Sequence, residues 1–158
     1  MKVAILSGSL YGTAEELARY AESRLKAAGL EAWHKSALTL EELQAFAPQA
    51  LLCITATTGM GELPDNLQPL YFALRDRLPN WRGLPGAILA LGDSSYADTF
   101  CGGGELVNEL YEELGIHQVL PMLRLDASES ADPQGDAEPW LDELIVQLQA
   151  LQALQSQN

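Results

Sequence analysis

The chain has 158 residues, 22 acidic against 9 basic side chains, a formal charge of −13 at pH 7, and 47% hydrophobic residues. That length buries a core without disulfides or metal, and the apolar content excludes an acidic disordered segment. The charge excludes nucleic acid and an anionic membrane surface as partners, because both demand positive side chains opposite phosphate. The two cysteines, Cys53 and Cys101, have no CxxC spacing or histidine cluster, so no disulfide framework or metal site is expected and a reducing compartment is the default. The apolar opening at residues 3–6 breaks at Ser7-Gly8, too early for a signal segment. No run approaches the roughly 20 apolar residues of a membrane span. The expected location is the cytoplasm.

Short apolar runs alternate with amphipathic stretches. Residues 3–6 read as a buried strand. Ala14, Leu17, Ala18, Ala21, Leu25 and Ala28 recur at helical spacing over 13–28, with Gly29 as C-terminal stop. Residues 30–34 read as a second strand and 50–54 as a third, too uniformly apolar to keep a solvated face. A helix is expected over 65–78, a fourth strand over 87–91, and a helix over 105–114 closed by Gly115. A fifth strand spans 119–125, its Pro121 requiring a sheet edge or an irregularity. Residues 128–138 read as a mobile loop, 140–151 as the last helix, and the Gln-rich 152–158 as a frayed tail. Strands alternating with helices specify a three-layer α/β sandwich on a five-stranded parallel sheet with right-handed crossovers, one domain over 1–151.

In an open α/β sheet, ligands bind beyond the carboxyl ends of the strands. The first strand is followed by Ser7-Gly8-Ser9-Leu10-Tyr11-Gly12-Thr13, opening into a helix. Glycines for tight turns, hydroxyl donors and free helix amides make an anion cradle. The cradle has no lysine or arginine, so it matches neither GxxxxGK[ST] nor GxGxxG. A terminal monophosphate suits it. The third strand leads into Thr57-Thr58-Gly59-Met60-Gly61, and the fourth into Leu91-Gly92-Asp93-Ser94-Ser95-Tyr96, with Phe100-Cys101-Gly102 beyond. Both loops are glycine-rich and carry Met60, Tyr96 and Phe100, where a flat ring could be sandwiched.

These three loops resemble the flavodoxins along essentially the whole chain, and Leu63-Pro64-Asp65-Asn66-Leu67 with Phe100-Cys101-Gly102 resembles the small bacterial MioC/YqcA branch. The flavodoxin fold is itself a standing example of the ligand rule, with FMN at the switch point between its first and third strands. The resemblance implies a short-chain member with strand order 2-1-3-4-5. It implies FMN as cofactor, its phosphate held by amides and hydroxyls of Ser7, Gly8, Ser9, Leu10, Tyr11, Gly12 and Thr13. Thr57, Thr58, Gly59 and Met60 would border the isoalloxazine, with Gly59 against N5. Tyr96 would stack on one ring face. Backbone around Leu91, Gly92, Asp93 and Cys101 would meet the pyrimidine edge, with Phe100 nearby. Thr58 stands where many members place an aromatic, and Thr13 replaces a frequent asparagine. Three residues separate Tyr96 from Phe100 where relatives usually have two. FMN retention is therefore expected to be weaker than in members with two aromatic walls.

The implied function is one-electron transfer without a substrate pocket, hence a carrier rather than an enzyme. Its implied partners are a basic flavoprotein reductase of the ferredoxin/flavodoxin NADP type and an acceptor enzyme with radical or iron–sulfur chemistry. The alternatives are an FMN-dependent NAD(P)H:quinone-type reductase, which the short chain disfavours, and a flavin-free interaction module. A monomer is expected. His34 and His117 read as surface or structural residues near strand starts, and Trp33, Trp81 and Trp140 as packing residues. Ser7 and Ser9 lack the partners of a hydrolytic triad, and no acidic pair follows the first strand to bind Mg²⁺. Cys101 has no basic neighbour in sequence to make it a thiolate.

The negative charge is uneven. Residues 1–92 carry 9 acids and 8 bases, whereas 93–158 carry 13 acids and only Arg124. The acids start at Asp93 and Asp98, continue through Glu105, Glu109, Glu112 and Glu113, and run on from Asp126 to Glu143. They are expected to form a docking face for a basic partner.

Overall fold

The computed structural model describes residues 1–93 and 100–157. Strands β1 (Lys2–Gly8), β2 (Glu31–His34), β3 (Ala50–Thr55), β4 (Pro85–Gly92), β5 (His117–Gln118) and β6 (Leu123–Asp126) pair in parallel. Their order is β2-β1-β3-β4-β5, with β6 also on β4. Val3 of β1 lies between Ala32 of β2 and Ala50 of β3. Helices α1 (Thr13–Ala27) and α5 (Pro133–Ser156) bury Val3, Ile5, Leu52, Ile54 and Leu89 on one sheet face. Helices α2 (Leu40–Phe46), α3 (Gln68–Arg77) and α4 (Gly102–Leu114) bury Ala4, Leu6, Leu51, Cys53 and Ile88 on the other. Both faces are covered, so the central strands have no polar alternation.

The expected fifth strand is broken. Pro121 lies between β5 and β6, each half pairs separately with β4, and the Pro121 carbonyl accepts the Trp140 indole N–H at 3.0 Å. Proline has no N–H for the ladder, so the chain leaves the sheet there and returns. Trp33 and Trp81 pack against the α2–α4 core and Trp140 against the other.

Helix α2 was not expected. Its signal is a capping box: Glu42 N donates to Thr39 Oγ1 and Thr39 N to the Glu42 carboxylate, both at 3.1 Å. Helix α3 begins at Gln68 rather than residue 65, because residues 64–67 form a turn with Leu67 N donating to Pro64 O at 3.0 Å. The segment expected as a mobile loop over 128–138 contains the start of α5. Asp132 caps it by accepting Gly135 N at 3.1 Å, and Pro133 occupies the first turn, where no donor is needed. The helix also runs through the glutamine-rich tail to Ser156, whose hydroxyl donates to Gln152 O at 3.1 Å. Leu148 and Leu151 hold that stretch against the core, and the Met1 ammonium donates to Gln152. Among the described residues, no helix is long and apolar enough to cross a membrane.

Candidate functional site: a cofactor cavity at the carboxyl ends of the strands

A cavity of about 390 Å³ opens where the strands end. It is lined by Ser9, Leu10, Tyr11, Thr13 and Ala14 after β1, Ala56, Thr57, Thr58 and Gly59 after β3, and Leu91, Gly92 and Asp93 after β4. Ala127 and Ser128 after β6 complete it. The volume is within the range of about 300–1,000 Å³ typical of small-molecule sites. Among the described residues its lining has no lysine, arginine or histidine.

The first loop is built around exposed helix amides. Ser9 N donates to Asn66 Oδ1 at 3.1 Å, and Gly12 N to Ser9 Oγ at 2.7 Å. Gly12, at φ 94°, caps α1 without a side chain. Only glycine adopts that conformation readily, and it leaves the cavity clear of a capping oxygen. The first intrahelical bond is Glu16 N to Gly12 O at 2.9 Å. The amides of Thr13, Ala14 and Glu15 therefore have no acceptor within the helix and form its positive end. Of the residues expected in the cradle, Ser9, Leu10, Tyr11 and Thr13 line the cavity. Ser7 and Gly8 are strand residues outside that lining. A Cβ on Gly8 would meet Thr55 Oγ1 at 2.7 Å.

Thr58 closes the second loop. Its N–H donates to Glu62 O at 2.9 Å, its hydroxyl accepts Glu62 N at 3.0 Å, and its carbonyl accepts Gly61 N at 2.9 Å. Gly59 sits at the tip and lines the cavity, whereas Met60 is 80% exposed and outside the lining. Thr57 uses its hydroxyl on the protein, donating to Leu91 O at 2.9 Å and accepting Gly103 N at 3.1 Å.

The third loop ends at Phe100, whose ring is packed on Gly92: a Cβ there would meet Phe100 Cδ2 and Cys101 N at 2.6 Å. Neither Phe100 nor Cys101 lines the cavity. Tyr96 and Asp98 lie outside the described residues. Cys101 caps α4 at φ 56° and is buried, its thiol 3.8 Å from Ala90 O. The sequence shows no basic neighbour for it, yet β6 brings Arg124 beside the thiol. Burial is the larger effect and pushes the thiol pKa up, with Arg124 opposing it.

Helix α4 begins at Gly102 rather than residue 105. A Cβ on Gly103 would meet Ala56 O at 2.6 Å, and one on Gly104 would meet the Ala90 Cβ at 2.4 Å. Three successive glycines, a loop signal in sequence, allow this first turn to lie directly on the two strand ends that frame the cavity.

His34 also departs from expectation. It ends β2 on the cavity side of the sheet, and its Nε2 is 2.8 Å from Ser7 Oγ. Ala127 and Ser128 were missed. Their signal was the same rule applied after the fifth strand, where acids and serines read as loop.

Neutral hydroxyls, uncapped helix amides and flat backbone walls fit a phosphorylated planar cofactor. Fold and cavity together define an α/β carrier of such a cofactor. The family profile described as Flavodoxin matches residues 5–140. A solved structure, the C101A mutant of flavodoxin from Pseudomonas aeruginosa, aligns at TM-score 0.92 and 67% identity over 94% of this chain and 99% of that one. Flavodoxin YqcA of Pectobacterium carotovorum subsp. carotovorum is 38% identical over 89% of this chain and 93% of its own. A MioC homologue of Pasteurella multocida is 33% identical over 93% and 98%. The chain belongs to the flavodoxin family. It is an FMN-binding electron carrier, not an enzyme, and it serves redox partners.

Proposed function

We propose that the FMN phosphate rests on the first turn of α1 and that the isoalloxazine extends between the loops after β3 and β4. The carrier takes electrons from a basic flavoprotein reductase of the ferredoxin/flavodoxin NADP type. It delivers them to an acceptor enzyme with radical or iron–sulfur chemistry, and works as a cytoplasmic monomer folded as one domain. The observation that supports this most is the coincidence of an uncapped helix end and neutral hydroxyl donors in one cavity at the strand ends.

FMN supplies the electron exchange. The chain supplies its setting. Thr13, Ala14 and Glu15 present amides, and Ser9 holds the Gly12 amide in place. The proposed phosphate set is Ser9 to Thr13, with Ser7 and Gly8 supporting it from β1. Gly59, at the tip of its turn, offers a peptide that can present either N–H or carbonyl to the ring edge. Thr57, Thr58, Leu91, Gly92 and Asp93 form the walls and Phe100 and Cys101 the outer support, with Tyr96, outside the described residues, as the proposed stacking residue.

Titration of the apoprotein with FMN tests the reading. Flavin uptake that Ser9→Ala weakens is expected; a colourless chain that ignores FMN overturns it. Rapid oxidation of NADPH by the holoprotein alone would instead favour the reductase alternative.

A further inference from the structure

Ser7 and His34 meet under α1, whose Glu15, Arg19 and Glu22 face the ring. Ile5 of β1 and Ala32 of β2 belong to the core under α1, and Ser7 and His34 are the next same-facing positions of their strands. Ser7 is 4% exposed. Its Oγ is 2.8 Å from His34 Nε2. The His34 backbone N–H donates to Glu22 Oε2 of α1 at 2.8 Å. The half-buried ring is thus fixed between β1 and α1, and Ser7 leads directly into Gly8 and Ser9, the start of the cavity loop.

We propose that His34 is a positioning residue for the cofactor phosphate: its imidazolium, held by Ser7 under α1, supplies positive charge that the cavity lining lacks and couples phosphate binding to proton uptake. This rests on FMN as cofactor and on the phosphate's place at α1.

In the neutral ring the hydroxyl of Ser7 donates to Nε2 or accepts from it, according to tautomer. In the imidazolium only donation from Nε2–H to Ser7 Oγ remains, so protonation fixes the direction of the bond as well as the charge. The charged groups facing the ring from α1 are Glu22, Glu15 and Arg19. Lys35, next on its own segment, is engaged by Glu42 of α2. Burial lowers the His34 pKa from its ordinary 6.5, with Glu22 and Glu15 opposing and Arg19 adding to the fall. Without an anion above it the ring therefore favours its neutral form. A bound phosphate favours the charged form, and by reciprocity a charged ring favours the phosphate.

The test is an NMR titration of both imidazoles over about pH 5 to pH 8, in apoprotein, FMN-loaded protein and riboflavin-loaded protein. His117→Gln assigns the signals. His117 itself, exposed at the opposite ends of the strands, is the internal reference. FMN is expected to raise the His34 pKa by about one-half to one unit. Riboflavin, which has the ring system without the phosphate, is expected to leave it unmoved. A His34 pKa equal in the two flavin complexes overturns the proposal while leaving the cofactor assignment standing. A chain that takes up neither flavin overturns both.

Discussion

The Thr57 hydroxyl donates to the Leu91 carbonyl at 2.9 Å, joining the loop after β3 to the end of β4. The same oxygen accepts the Gly103 amide at 3.1 Å, so one side chain ties two cavity walls to the start of α4. Thr57→Val keeps the shape and removes both bonds, leaving a buried amide and carbonyl unpaired. A loss of about 1–3 kcal/mol is expected in denaturant unfolding, with weaker FMN retention. Thr57→Ser is expected to restore most of both. Equal stability of the valine variant and the parent would sink this reading.

Two glycines near the site should respond differently to alanine. At Gly103 the added methyl meets the Ala56 carbonyl at 2.6 Å, so backbone must move. The expected cost is about 1–3 kcal/mol. At Gly12 nothing lies within 4 Å, and only the positive φ of 94° resists. About 1–2 kcal/mol of conformational strain is expected there, together with a change in FMN affinity from the displaced cradle. Thermal unfolding paired with flavin titration separates the two.

Burial pushes the Cys53 thiol from an ordinary 9.0 up to about 12. The folded pKa lies above the unfolded one, so the associated stability is complete below pH 9 and is lost as pH rises from about 9 to about 12. Cys53→Ala is expected to lower stability at neutral pH through the lost packing but to flatten its alkaline decline. Tyr111, also buried and raised, contributes a second slope that Tyr111→Phe removes. Denaturant midpoints across alkaline pH measure both. Thiol reagents are expected to label neither buried cysteine in the native chain at neutral pH.

Among the described residues, the acids of the C-terminal half are not gathered on one docking face, unlike the sequence expectation. Helices α4 and α5 lie on opposite sides of the sheet, and Arg24 engages both Glu138 and Asp142 of α5. The exposed acids at the cavity end include Glu62, Asp65 and Glu129, whereas Glu112 and Glu113 lie at the far end of α4. Electron uptake from a basic reductase should therefore slow by about tenfold from low to high salt. Glu62→Gln with Asp65→Asn should reduce that slope, and Glu112→Gln with Glu113→Gln should not. Stopped-flow rates with no salt dependence would remove the electrostatic argument.

The sheet and most of the cavity were legible because both follow local rules. Residues 50–54 announce a strand covered on both faces, and Ser9, Gly12 and Thr13 announce a loop opening into a helix. What escaped depends on partners distant in sequence. Gly102 to Gly104 read as loop because only the nearness of Ala56 and Ala90 explains a helix there. His34 read as remote because only the pairing of β1 with β2 brings it to Ser7. Met60 looked like a wall for a flat ring, but the Thr58 turn turns it outward into solvent.

The broken fifth strand has a consequence at the margin of the molecule. One border of the sheet is β2, only 4 residues long; the other is interrupted by Pro121 and continues through Arg124 of β6. Unpaired ladder groups on a long, flat border recruit strands from other copies. Neither border of this sheet offers a continuous row for such zippering, so the fold resists edge-to-edge aggregation through its own backbone layout.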